Sequence, residues 1–103
     1  MSSNTVRSRK LMESRGFLVD VVESWNHFTK RRKDLCNTFD IFASNGENVT
    51  LVQTTSRGNM SSRVKKIAES EWTPKLRTAG IRLLVHGWDK FNNRWRVKET
   101  DVS

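Results

Sequence analysis

Alternating apolar and polar positions mark the first strand. In FLVDVVESW (residues 17–25), Phe17, Val19 and Val21 fall on one face and Leu18, Asp20, Val22 and Ser24 on the other, until Glu23 breaks the first set. Residues 38–43 (TFDIFA) are mostly apolar with a single acid, and residues 49–55 (VTLVQTT) are β-branched and end polar. Between them SNGEN (44–48) has turn composition around Asn45-Gly46, which predicts two antiparallel strands on a tight turn. Residues 81–88 (IRLLVHGW) predict a strand apolar enough for a sheet interior. Residues 89–93 turn the chain, and 94–98 return as an edge strand with Trp95 and Val97 on one face and Arg94, Arg96 and Lys98 on the other.

Three stretches predict helices. Asn4 or Thr5 caps the first, which runs to about Arg15 and ends at Gly16, with residues 1–4 frayed. Residues 60–71 form the second, capped by Ser61 or Asn59, with Val64, Ile67, Ala68 and Glu71 on one face. Thr73 caps the third, Pro74 takes its first position, and it stops near Ala79-Gly80. Residues 26–37 show no clear period. The resulting order is α-β-β-β-α-α-β-β, an α/β chain of one domain over residues 1–103.

Composition narrows the function classes. Nineteen Lys and Arg against eleven Asp and Glu give a net charge of +8. On so small a chain this points to a polyanionic partner, most simply nucleic acid. A membrane surface is the rival, but the first helix offers only Val6, Leu11 and Met12 as apolar residues. No apolar run reaches spanning length and no signal-peptide pattern opens the chain. The lone Cys36 cannot form an internal disulfide, so a cytoplasmic setting is the expectation. Core is the expected place for Trp88 and Trp95.

The candidate chemistry lies at the paired strands. If they pair across Asn45-Gly46, the Asp40 carboxylate and the Gln53 amide oxygen converge and suit a hard cation such as Mg²⁺. The bland reading is a solvated strand face. Lys30, Arg31, Arg32 and Lys33 form a run of four cations leading into the Asp40 strand, where a substrate phosphate would meet them. Glu13 opposes the helix dipole in the last turn of the first helix, which marks either a pair with Arg9 or a functional acid. His27 has no partner pattern and reads as structural, and Cys36 reads as a small buried residue rather than a nucleophile.

These phrases in this order resemble a family. ESRGF (13–17), VESWN (22–26), KRRKDL (30–35), FDIFA (39–43), LVQTT (51–55), GNMSSRVKKI (58–67) and AGIRLLVHGWDK (79–90) are similar to small Holliday-junction-resolvase-like members of the PD-(D/E)XK nuclease superfamily. The resemblance spans roughly residues 7–98 and implies a restriction-endonuclease-like core, with a mixed sheet of four to five strands flanked by helices. It implies Mg²⁺- or Mn²⁺-dependent hydrolysis of DNA by a two-fold homodimer in a bacterial or phage-infected cell. Asp40 matches the metal-binding acid. Gln53 stands where the family has a second acid, and Thr55 where it has a lysine. Lys65 or Lys66 on the following helix is then the candidate replacement, Glu13 the additional acid, and the Thr54 carbonyl a third ligand. Lys30, Arg31, Arg32, Lys33, Arg57, Arg63, Lys65 and Lys66 would hold flanking phosphates.

Three functions are therefore open: a metal-dependent DNA endonuclease, with branched DNA as one substrate; a nuclease-fold protein that binds DNA without cleaving; and a small protein that binds a host protein. Gln53 and Thr55 favour the second over the first, while Asp40 with lysines close by favours the first.

Overall fold

A computed structural model describes residues 3–103, with the side chains of Ser24, Trp25, Asn26 and Arg32 outside the description. The chain runs α1 (Ser3–Ser14), β1 (Leu18–Val21), β2 (Ser24–Asn26), β3 (Arg31–Lys33), β4 (Ile41–Ser44), β5 (Val49–Ser56), a 3-10 turn (Arg57–Asn59), α2 (Met60–Glu69), α3 (Trp72–Thr78), β6 (Arg82–Phe91) and β7 (Arg94–Asp101). The expected α/β layout holds. A five-stranded mixed sheet has the order β1-β4-β5-β6-β7, and β2 and β3 form a separate two-stranded ribbon. Among the described residues only β5 and β6 pair in parallel, and α2 and α3 make the crossover between them.

Burial explains the sequence of β5. Helix α1 covers one face of the sheet through Met12, packed with Ile41, Ala43, Val52 and Leu84. Helices α2 and α3 cover the other, where Met60, Ile67 and Leu76 meet Phe39, Leu51, Leu83 and Val85. A strand covered on both sides loses the alternating pattern, and Thr50 to Thr55 are all buried. The four buried polar side chains of that run, Thr50, Gln53, Thr54 and Thr55, therefore need internal partners.

Several boundaries differ from the sequence reading, each for a local reason. Asn4 and Thr5 lie inside α1 instead of capping it, and Thr5 is buried against the sheet. Ser3 and Asn4 are helical. The frayed-terminus expectation for Met1 and Ser2 lies outside the described residues. The single strand expected over residues 17–25 is broken at Val22 and Glu23, and its remainder pairs with β3, which the aperiodic sequence concealed. Thr73 sits within α3, where its hydroxyl donates to Ile67 O at 2.5 Å and ties α3 to α2. Trp88 is buried as expected, but Trp95 is half exposed, because β7 is an edge strand and β6 outruns β5 there. Cys36 is only partly buried, in a turn where it and Asn37 have positive φ. His27 is exposed.

The tightest approach is at Gly87 on β6. A Cβ there would lie 2.1 Å from Met60 Sδ and 3.1 Å from the Arg57 Cα. Met60 can swing aside, but the backbone of Arg57 cannot. Gly87→Ala is expected to destabilise the fold by about 1–3 kcal/mol, the usual cost of overpacking, as a shift in the urea midpoint at constant m-value.

Candidate functional site

Three acids meet by register. Ser24 pairs with Lys33 in the β2–β3 ribbon, so Glu23 and Asp34 flank its open end and face each other. A tight turn through Cys36 and Asn37 then folds the chain back, with Leu35 bridged to Phe39. Asp34 and Asp40 flank that bridge. Glu23 is tied to the same place because the Val22 N–H donates to Asp40 O at 2.9 Å. One carboxylate oxygen from each of Glu23, Asp34 and Asp40 lies within 4.8 Å of the others. Asp40 is fully buried and its two companions are half-buried. None of the three is without a partner.

Asp40 and Gln53 do meet, but through the amide nitrogen of Gln53 and not the amide oxygen expected to share a cation. Beyond the end of β4 the N–H of Thr54 has no strand to donate to, and it donates to Asp40 Oδ2 at 2.8 Å. The same oxygen accepts from Thr54 Oγ1 at 3.0 Å and from Gln53 Nε2 at 3.1 Å. Gln53 Nε2 also donates to Thr54 O at 3.2 Å. This fixes the amide orientation, since the reverse would set its oxygen against two acceptors. Gln53 Oε1 is left buried with no hydrogen-bond partner, on a side chain only 4% exposed. A buried acceptor without a donor is uncommon and costs free energy. Thr54 carries the network to α1, its hydroxyl lying 3.1 Å from that of Thr5, which is 3.4 Å from Glu23 Oε2.

The other expected residues fall around this centre unevenly. Glu13 is exposed and paired with Arg9 at 3.4 Å, and it is not part of the acidic cluster. Lys30, Arg31 and Lys33 are exposed on the ribbon that delivers Asp34; the Arg32 side chain lies outside the described residues. Lys65 and Lys66 line a depression of about 510 Å³ together with Thr38, two residues before Asp40, and Lys65 also reaches Glu69 at 3.9 Å. Arg57 pairs with Asp89 at 3.7 Å. Arg63 is half-buried, and its Nε is buried without a hydrogen-bond partner. Sequence reasoning missed Glu23 and Asp34. The break that Glu23 makes in the alternation of residues 17–25 was the available signal.

A second buried network joins α1 to β6 and β7. Trp88 Nε1 donates to Ser8 Oγ at 2.8 Å, and Ser8 Oγ lies 2.9 Å from His86 Nδ1. His86 Nε2 lies 2.8 Å from Glu99 Oε2, which also accepts from Arg15 Nη1 at 2.6 Å. In the neutral form that its lowered pKa favours, Ser8 gives its proton to Nδ1 and Nε2–H donates to Glu99. Burial holds its pKa below the ordinary histidine value, although Glu99 pulls the other way. Burial alone would raise Glu99, but the bonds from Arg15 and His86 more than offset it and hold that carboxyl low. The set has the composition of a serine nucleophile, base and orienting acid, but Ser8 is fully buried and no substrate can reach its oxygen. It is a structural clamp.

Among the described residues, no helix is long and apolar enough to cross a membrane. The chain matches no protein-family model and no curated protein.

Two measurements test these networks. Asp40→Ala strands three donors at once and should cost about 3 kcal/mol or more, whereas Asp40→Asn keeps an oxygen for them and should cost less. Urea denaturation reads both. The His86 clamp makes stability pH-dependent. The unfolded chain takes up its histidine proton near pH 6.5, before the folded one does. Stability is thus complete above about pH 6.5 and falls as pH drops from there towards the lowered folded pKa. His86→Gln should flatten that part of the curve.

Proposed function

We propose that the protein is a metal-dependent endonuclease hydrolysing phosphodiester bonds in DNA, with branched DNA a substrate to test. One observation carries the proposal: one carboxylate oxygen from each of Glu23, Asp34 and Asp40 lies within 4.8 Å of the others. The donor set is entirely oxygen, which fits a hard divalent ion, Mg²⁺ or Mn²⁺. Such an ion would supply Lewis-acid stabilisation of a phosphoryl oxygen. Asp40 cannot swing, because Oδ2 is held by three donors. It would define the position of the cation, while the half-buried Glu23 and Asp34 complete its shell from the solvent side. Lys33 adjoins Asp34, and with Lys30 and Arg31 on the same ribbon it would take flanking phosphates. The helix-strand order, with three antiparallel strands before a crossover to a parallel fourth, agrees with the nuclease resemblance.

A second reading keeps the DNA and gives up the cleavage. Gln53 spends both its amide hydrogen bonds on Asp40 and Thr54, and Thr55 stands where the nuclease pattern has a lysine. A site satisfied internally in this way needs no ion to hold it together, and the basic surface alone would bind the phosphate backbone.

Glu23→Gln and Asp34→Asn separate the readings, because both residues are half-buried and each substitution keeps the side-chain shape and one oxygen while removing the charge. For an endonuclease, Mn²⁺ affinity by calorimetry should fall by about tenfold or more in each variant. Cleavage of DNA in Mg²⁺ or Mn²⁺ should be lost, and salt-sensitive DNA binding should remain. Wild-type protein that binds DNA but cuts nothing with either metal supports the second reading. No salt-sensitive DNA binding at all refutes both and leaves a protein-binding role.

A further inference from the structure

The far end of the β6–β7 hairpin presents a surface the acidic site does not use. β6 is paired to β5 only as far as Ser56↔Trp88, whereas its pairing with β7 continues to Phe91↔Arg94. The end of the hairpin is therefore a two-stranded finger that extends past the end of β5. Its tip is Asn92-Asn93, both with positive φ, the backbone of a tight two-residue hairpin turn. Residues 90–96 (KFNNRWR) hold three cations, two aromatics and no acid, and all are exposed.

The two rings are held in a particular way. The Arg7 guanidinium lies 3.4 Å from the Trp95 ring centroid and is itself pinned by a bond to Asn4 Oδ1 at 2.9 Å. The Arg96 guanidinium lies 4.4 Å from the Phe91 centroid and is pinned by a two-pronged pair with Asp89 at 2.8 and 2.9 Å. Each ring thus has a fixed cation against it, which restrains its orientation, yet Trp95 remains 47% and Phe91 56% exposed. Both line one open depression of about 600 Å³ with Arg94. Lys90 adds a further cation 5.9 Å from Trp95.

We propose that this finger binds unpaired nucleotides, stacking bases on Trp95 and Phe91 while Arg94 and Lys90 take the adjoining phosphates. A flat ring backed by a guanidinium suits a base face, and the cations and missing acids suit a polyanion. A lipid surface fits less well. The polar Asn92-Asn93 pair would have to enter first, and the rings flank the tip rather than crown it. The inference rests on the nucleic-acid partner proposed above but not on metal or cleavage.

The test is fluorescence anisotropy in EDTA, with a labelled oligothymidylate, an abasic strand of equal length and a blunt duplex. The Phe91→Ala/Trp95→Ala double variant should bind oligothymidylate about tenfold more weakly or worse, while its duplex affinity stays within about twofold of wild type. Wild-type protein should show a similar deficit on the abasic strand. A melting curve close to wild type shows that the finger variant is folded; as a second route, Trp95→Leu keeps apolar bulk without a stacking face and should show the same selective loss. Equal loss on all three probes, or no loss on oligothymidylate, overturns the proposal. So does binding confined to phosphatidylserine vesicles. Duplex binding and metal-dependent cleavage with no such selectivity leave the endonuclease reading standing and remove this one. Selective strand binding with no cleavage in any metal does the reverse.

Discussion

The Asp40 carboxylate resolves a conflict built into the sheet. Strand β5 runs longer than its neighbour β4, so the Thr54 N–H faces a place where no backbone carbonyl follows. Inside a covered sheet an orphaned donor is expensive. Asp40 fills the gap with a side chain, and the same oxygen then orders the Thr54 hydroxyl and the Gln53 amide. Through Thr54 and Thr5 the arrangement also fixes the inner face of α1. One buried oxygen thereby joins β4, β5 and α1, and it sets the rigid wall against which Glu23 and Asp34 gather.

The His86 clamp performs the matching task one turn further along the same buried face of α1. Its hydrogen bonds run from Trp88 through Ser8 and His86 to Glu99 and Arg15. A nucleophile-base-acid composition is not sufficient for catalysis, because access decides it. Here the serine is sealed between helix and sheet, whereas two of the three acids at Asp40's centre are only half-buried. Two networks of similar chemistry thus differ in what they can do because of geometry alone.

Positive charge is spread over two projections. The β2–β3 ribbon carries Lys30, Arg31 and Lys33 beside the acids, and the β6–β7 finger carries Lys90, Arg94 and Arg96 beside exposed rings. In the first, cations adjoin a group of carboxylates, which would draw a metal and a phosphate to neighbouring points. In the second, they adjoin aromatic faces. Trp95 reads as core in a strand that alternates, yet edge position leaves it half open, and that exposure gives the finger its character.

The alternation of β1, the Asn45-Gly46 turn, the buried run of β5 and the cationic face of β7 were legible in the residues, because each is a local pattern of period two or a turn with its own chemistry. So was the meeting of Asp40 with Gln53, which needs only that one hairpin. Glu23 and Asp34 were not legible. Their approach depends on β3 pairing with β2 and on a reversal at Cys36 and Asn37, where Asn37 favours a left-handed backbone but Cys36 gives no local signal of one. The same limit hid Glu99 and Ser8, which lie 91 positions apart in number and meet through His86 only after the crossover sets β6 beside β5. Residues alone determined the elements and one hairpin contact; long-range register decided which polar groups share a buried space, since no local spacing encodes it.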